Sequence, residues 1–200
     1  MPATITIDER FISGRVVLRR CVPADATAEY LGWLQDPVVN RYLETRWQEQ
    51  TLDGICAFVA AMLASSDSVL FAITCDGRHV GNAKLGPVQG RHACADLSYF
   101  IGARDCWGQG LATEAIRALC QVGFVRLGLH RLQAGLYAGN VGSGRALEKA
   151  GFTREGVWRR QLAGPDGWED HVFYGLLREE WVAVDPPRSA GNAALSGGGR

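Results

Sequence analysis

The chain has 200 residues, room for one sizeable domain rather than two. Its 21 Lys and Arg balance 21 Asp and Glu, so a formal net charge of zero excludes diffuse capture of nucleic acid or an anionic membrane, and any bound anion must be held locally. A 47% hydrophobic and 21% charged composition is that of a globular protein, and the longest apolar run, Ile55 to Ala64, falls short of the roughly 18 residues of a membrane span. The start, which carries Asp8 and Glu9, lacks the basic and apolar pattern of a signal peptide, so a cytoplasmic protein is expected. Cys21, Cys56, Cys75, Cys94, Cys106 and Cys120 include no C-x-x-C pair and read as free thiols; the four histidines show no ligand spacing, so no metal is expected.

Residues 1–14 form an uncertain lead, 15–184 the domain, and 185–200 a Pro- and Gly-rich tail with too little apolar surface to order itself. Val16 to Arg19 reads as a short strand. Asp25 is placed to cap a helix carrying Tyr30, Leu31, Trp33 and Leu34, and Asp36-Pro37 to open a second short helix. Thr51 caps a longer helix through Leu63 with an apolar stripe of Leu52, Ile55, Phe58, Val59 and Met62. Val69 to Thr74 and His79 to Leu85 form a hairpin across Asp76-Gly77. In the next strand Ala95, Leu97, Tyr99 and Ile101 alternate with Asp96, Ser98 and Phe100. A helix follows from Leu111 to about Val125, then a strand through Leu132, Ala134 and Leu136, a turn and helix over Asn140 to Ala150, and a last strand from His171 to Leu177.

Between Tyr99 and Ala115 a strand leads through a glycine-bearing loop straight into a helix. The free N–H groups of a first helical turn, with the positive end of the helix dipole, make an anion site, and the missing side chains at Gly108 and Gly110 let a phosphate reach the backbone. The glycines alone also fit a tight strand-to-helix turn. Walker A and Rossmann spacings are both absent, the latter because position 113 is Thr.

Trp107-Gly108-Gln109-Gly110-Leu111-Ala112-Thr113-Glu114-Ala115, then Asn140-x-x-Ser143, then Glu148-Lys149-Ala150-Gly151-Phe152-x-x-Glu155-Gly156 together resemble the GCN5-related N-acetyltransferase (GNAT) superfamily, in its branch of ribosomal-protein-alanine acetyltransferases (RimJ/RimL-like). The resemblance runs from about Val16 to about Val182. It implies a mixed α/β (α+β) fold whose central twisted, mostly antiparallel sheet splays in a V, with acetyl coenzyme A (acetyl-CoA) as co-substrate in the splay. By that resemblance the backbone of Gly108, Gln109, Gly110, Leu111, Ala112 and Thr113 holds the pyrophosphate, main chain at Phe100 and Ile101 pairs with the pantetheine arm, and Asn140 touches it. Arg145 and Lys149, four apart on one helix face, either meet the nucleotide phosphates or form a solvated face.

Acyl transfer to an amine needs a base, because an alkyl ammonium with a pKa of about 10 is protonated at neutral pH. Asp96 stands where this branch usually has Glu, and its shorter side chain favours a water relay; Glu169 and Asp170 are the next carboxylates. A departing thiolate is helped by a proton or hydrogen bond. The Tyr that many relatives place seven residues after the Asn is Leu147 here, and Ser143 is the substitute the branch offers, with Tyr137 and Tyr174 as alternatives. A main-chain N–H at Phe100 or Ile101 polarises the thioester carbonyl.

Arg46, Trp47, His92 and Trp168 are the residues expected to touch the acceptor, although Arg46 also has Glu44 and Glu49 as ion-pair partners and His92 also reads as an exposed loop residue. Leu43 to Gln48 and Gly81 to Pro87, with His92 and Asp96, resemble relatives associated with amino-sugar modification. The leading reading is therefore acetylation of a small-molecule amine, an amino-sugar nucleotide being favoured. Protein N-terminal acetylation and a non-catalytic acyl-CoA sensor are the alternatives; neither nucleic acid nor membrane is an expected partner, and a homodimer stays open.

Overall fold

The computed structural model describes residues 7–164 and 166–181. Among them eight strands form one open sheet: β1 (Phe11–Ser13), β2 (Val16–Arg20), β3 (Val69–Cys75), β4 (Arg78–Gln89), β5 (Cys94–Ile101), β6 (Arg131–Tyr137), β7 (Thr153–Gly164) and β8 (Gly167–Leu177), ordered β1-β2-β3-β4-β5-β6-β8-β7. The helices are α1 (Ala28–Gln35), α2 (Leu52–Ala64), α3 (Leu111–Cys120) and α4 (Val141–Lys149). This is the expected mixed α/β architecture with a mostly antiparallel sheet.

One pair breaks the antiparallel pattern. β5 and β6 run parallel and share only three register positions, ending at Asp96↔Gln133, whereas β5 continues to Ile101 and β6 to Tyr137. Past that point the strands part and leave a gap in the sheet. Phe100 packs its ring against Tyr30 and Trp33 of α1, with centroids 6.0 and 6.4 Å away, while its neighbour Tyr99 reaches Ser143 of α4. Successive strand residues point to opposite faces, so α1 and α4 cover opposite sides of the sheet at the gap. The core on both sides is apolar: Phe71, Ile73, Leu85, Ile116, Leu119 and Leu132 are fully buried.

The Asp76-Gly77 turn carries positive φ at both residues, 50° and 80°, as a two-residue hairpin with the native strand twist requires. Two helix starts differ from expectation. Thr27, not Asp25, caps α1, its hydroxyl accepting from the Tyr30 N–H at 3.2 Å. Asp25 is occupied elsewhere: its oxygens accept from the Arg19 guanidinium at 2.5 and 2.7 Å and from the Val22 N–H at 2.8 Å. After Asp36 the chain makes a turn closed by the Val38 N–H on Asp36 Oδ1 at 2.8 Å, followed by a 3-10 turn at Asn40–Tyr42 rather than an α-helix. The helical run after the glycine loop does reach Arg126, with α3 widening into a π-turn over Gln121–Arg126.

β7 was not expected, because Thr153 to Gly164 has no apolar alternation. It is an edge strand, mostly solvent-exposed and register-shifted between Trp158 and Leu162, so its pattern carries little hydrophobic signal. The short β1 places part of the N-terminal lead in the sheet, and Ile7 ahead of it is fully buried in the core. The expected tail, 185–200, lies outside the described residues. Among the described residues no helix is long and apolar enough to cross a membrane.

Candidate active site

The glycine loop ends in an uncapped helix. Gly108 and Gly110 have φ of 73° and 84°, a region L side chains rarely adopt, and no side chain caps α3 at Gly110. The first helical bond runs from the Glu114 N–H to Gly110 O at 3.1 Å, so the N–H groups of Leu111, Ala112 and Thr113 have no acceptor within the helix. A Cβ built at Gly108 or Gly110 meets no atom within 4 Å, so open space lies beside both. Gly108, Gly110, Leu111, Ala112 and Thr113 line a 650 Å³ cleft together with Arg145 and Lys149 of α4. Free amides, a positive helix end and two cations along an open cleft fit a diphosphate. The Gln109 side chain does not line this cleft; it donates to Asp105 O at 2.8 Å and accepts from Arg15 at 3.2 Å.

The gap in the sheet exposes main chain. The Gly102 N–H donates to Val80 O at 2.8 Å, and the register pairs Phe100 with Asn82, so in an antiparallel ladder the even residues of β5 spend their main-chain groups on β4. By the same alternation the odd residues of β5 turn their main-chain groups the other way, toward β6. Tyr99 and Ile101 therefore present main chain to the open edge, whereas Phe100 contributes its ring. Trp107 Nε1 takes the Ile101 carbonyl at 2.8 Å, which leaves the Ile101 N–H on that edge.

A second cavity, of 880 Å³, lies against the first. The two share Tyr42, Leu43, Tyr99, Phe100, Asn140 and Ser143, so the cleft of the glycine loop opens into the cavity at the start of α4. Asn140 caps that helix, its Oδ1 accepting from the Ser143 N–H at 3.3 Å. Ser143 Oγ lies 2.7 Å from Tyr99 Oη. Burial pushes the Tyr99 phenol up to about 12, so it stays protonated through the neutral range. Asp96 lines the larger cavity and accepts from Gln133 Nε2 at 2.9 Å.

The four residues expected at the acceptor line neither cavity. Arg46 stacks over Trp47 and Tyr137, 4.5 and 4.7 Å from the ring centroids, and donates to Ala163 O at 2.6 Å and to Arg41 O. It ties the loop before α2 to the β7–β8 hairpin. Trp47 and Trp168 are exposed on the outer surface, and His92 is exposed in the β4–β5 turn. Glu169 accepts the Gly139 N–H at 2.9 Å and Asp170 the Arg160 N–H at 2.8 Å; both hold backbone, and neither lines a cavity.

Other residues form the wall of the larger cavity. Glu44 accepts a hydrogen bond from Tyr137 Oη, and Tyr42 lies 5.8 Å from the Tyr137 ring. Burial, then the bond to Glu44, raises the Tyr137 phenol above its ordinary value. His171 lines the same cavity beside Phe173, and burial lowers its pKa, keeping the ring neutral at neutral pH. Arg131 lies there too, paired with Glu155 at 2.7 Å, and among the described residues Lys84 is the other Lys or Arg on the wall. No local motif marks these residues, because folding brings them together from positions far apart in the chain.

Residues 15–153 match the family model described as "Acetyltransferase (GNAT) domain". The chain is 37% identical over 106 residues to the probable N-acetyltransferase YjcK of Bacillus subtilis, spanning 52% of this chain and 58% of that protein, less than two thirds of its length. It is 35% identical over 92 residues to the [ribosomal protein uS5]-alanine N-acetyltransferase of Escherichia coli, 46% of either chain. Among solved structures, a putative acetyltransferase from T. thermophilus superposes with a TM-score of 0.71 at 29% identity, covering 89% of this chain and 94% of that one. Mycobacterium smegmatis RimJ, solved in complex with CoA-disulfide, shares the fold with a TM-score of 0.74 at 23% identity, covering 86% and 87%.

Proposed function

This chain belongs to the GNAT acetyltransferase family, and we propose that it is an acyltransferase that transfers the acetyl group of acetyl-CoA by direct attack of a primary amine of a small molecule. The observation that carries the reading is the meeting of two cavities at Tyr99, Phe100, Asn140 and Ser143, one lined by an uncapped helix start and the other by polar and aromatic side chains. Bound acetyl-CoA supplies an activated thioester. The N–H groups of the Gly108 to Thr113 segment hold its pyrophosphate, with Arg145 and Lys149 adding charge. Main chain of Tyr99 and Ile101 meets the pantetheine arm, and a main-chain N–H on that edge polarises the carbonyl. Asn140, committed to capping α4, shapes the passage between the cavities.

Asp96 draws the proton from the incoming ammonium through a water molecule, and its bond from Gln133 orients it for that task. Ser143, in the first turn of α4, donates to the departing thiolate, aided by the positive end of the helix. With that proton gone the amine's lone pair attacks the thioester carbonyl; the C–N bond forms as the C–S bond breaks, the thiolate leaves hydrogen-bonded to Ser143, and the second N–H proton of the adduct passes through water to the thiolate or solvent.

The wall chemistry favours a compact neutral or cationic amine over an amino-sugar nucleotide. Glu44 and Asp96 face the cavity, Arg131 is neutralised by Glu155, and among the described residues Lys84 alone is left for a second diphosphate. The α-amine of a protein N-terminus is the second reading, favoured by the likeness to the uS5-alanine enzyme. Thiol release from acetyl-CoA is the test, measured with polyamines, aminoglycosides, amino-sugar nucleotides and alanine-initiated peptides. Turnover confined to the peptides overturns the small-molecule reading. Tight acetyl-CoA binding without turnover on any acceptor overturns catalysis itself and leaves a sensor.

A further inference from the structure

We infer that Tyr99 is a positioning residue for the leaving sulfur: its phenol fixes the Ser143 hydroxyl so that the serine proton points into the space the two cavities share. The inference rests on the reading of Ser143 as the thiolate's donor.

The geometry is a choice between two hydrogen-bond patterns. Tyr99 Oη has one proton and two neighbours on the same residue, Ser143 Oγ at 2.7 Å and Ser143 O at 3.1 Å. If the phenol donates to the carbonyl, the serine hydroxyl is left to donate back to Tyr99, and its proton is lost to the cleft. If the phenol donates to Oγ, the serine proton is free to turn toward the sulfur. The 2.7 Å contact is a bond in either pattern, but the 3.1 Å carbonyl contact lies beyond the usual O–H···O range and a phenol is a stronger donor than an alkyl hydroxyl, so once a thiolate offers the serine proton an acceptor the phenol donates to Oγ. The carbonyl has less need of it: Ser143 lies in the first turn of α4, where its C=O accepts from the helix's own Leu147 N–H. Burial holds the phenol protonated throughout, so Tyr99 need not give up its proton for the serine to donate its own.

Ser143 is held from two directions, its N–H by the Asn140 cap and its hydroxyl by Tyr99, one on the helix and one on the sheet. A hydroxyl anchored this way has lost its rotor freedom before the thiolate forms, which is the condition for stabilising developing charge without reorganisation. A plain tether of α4 to the sheet predicts the same static contact, so the test must read the sulfur itself.

The probe is coenzyme A bound to the full chain, its thiol titrated by ultraviolet thiolate absorbance. A free thiol has a pKa of about 8.5. The wild-type complex is expected to ionise below that value, and Tyr99→Phe and Ser143→Ala each to raise the midpoint by about one unit, a tenfold change in ionisation constant. The double variant should rise no further than Ser143→Ala, with the dissociation constant for protonated coenzyme A unchanged in all three. Tyr42, Glu44, Asp96, Tyr137, Arg145, Lys149, His171 and Tyr174 are among the other titratable or charged groups lining the two cavities, and none is altered by these substitutions. A normal midpoint in Tyr99→Phe beside a raised one in Ser143→Ala overturns the positioning role and leaves Ser143 intact. A normal midpoint in Ser143→Ala overturns the serine reading itself. Additive shifts in the double variant show Tyr99 acting on the sulfur by another route, and they too overturn the inference.

Discussion

The Asp96 carboxylate accepts a hydrogen bond from Gln133 Nε2 at 2.9 Å across the last register pair that β5 and β6 share. The carboxylate therefore stands at the apex of the gap, on the wall of the larger cavity, as the proposed base requires. Asp96→Asn keeps the side-chain volume and an oxygen for Gln133, so fold and cofactor cleft should survive. Turnover should fall by about 10²-fold, the lower range for loss of a general base, with the dissociation constant for acetyl-CoA unchanged. Steady-state rates beside equilibrium binding decide it; an unchanged kcat removes Asp96 as the base.

Gly110 supplies both the backbone turn and the open face of the anion site. Its φ of 84° costs an L residue about 1–2 kcal/mol, and a side chain there fills space that nothing else occupies. Gly110→Val should abolish coenzyme A binding while lowering the melting temperature only a few degrees. Calorimetric titration checks the first effect and thermal unfolding the second, and a normal dissociation constant in a folded variant removes the loop from the pyrophosphate site.

What could be read before folding divides along sequence separation. The glycine loop, its helix and the Asp76-Gly77 hairpin are contiguous, and each local requirement shows in the residues that meet it. The wall of the larger cavity is different in kind. Glu44 and Tyr137 are joined across the fold, as are Tyr99 and Ser143, and no spacing rule links either pair. Arg46, Trp47, His92 and Trp168 drew notice as polar or aromatic residues in loops, but such residues also serve as struts, and Arg46 is one. β7 escaped notice because an exposed edge strand need not alternate.

Glu44 is the acidic group on the wall of the larger cavity that the sequence did not single out. Tyr137 donates to one of its oxygens, which leaves the other open to an ammonium. Glu44→Gln should raise KM for a cationic amine about tenfold, the size of one lost charge-assisted bond, with kcat and the KM for acetyl-CoA nearly unchanged. Equal KM values for variant and wild type across the amine panel place Glu44 outside acceptor recognition.

The Arg19–Asp25 pair predicts how the fold itself responds to acid. Burial alone raises a carboxyl pKa, but at Asp25 the two Arg19 bonds and the Val22 N–H outweigh it, and the group lies below its ordinary value. A depressed folded-state pKa means that the unfolded chain binds the proton more tightly. The pair's stabilisation is therefore complete above the unfolded value of about 3.9 and is lost as pH falls from there through the folded pKa. Asp25→Asn should lower stability at pH 7 and flatten the acid limb below about pH 4, where wild type and variant converge. Arg19→Ala should cost more at neutral pH, about 3 kcal/mol, because it strands a buried carboxylate with no countercharge, held by the Val22 N–H and the Cys21 thiol. Urea unfolding of the three proteins between pH 3 and pH 7 reads all of this, and parallel stability curves for wild type and Asp25→Asn over that range rule the linkage out.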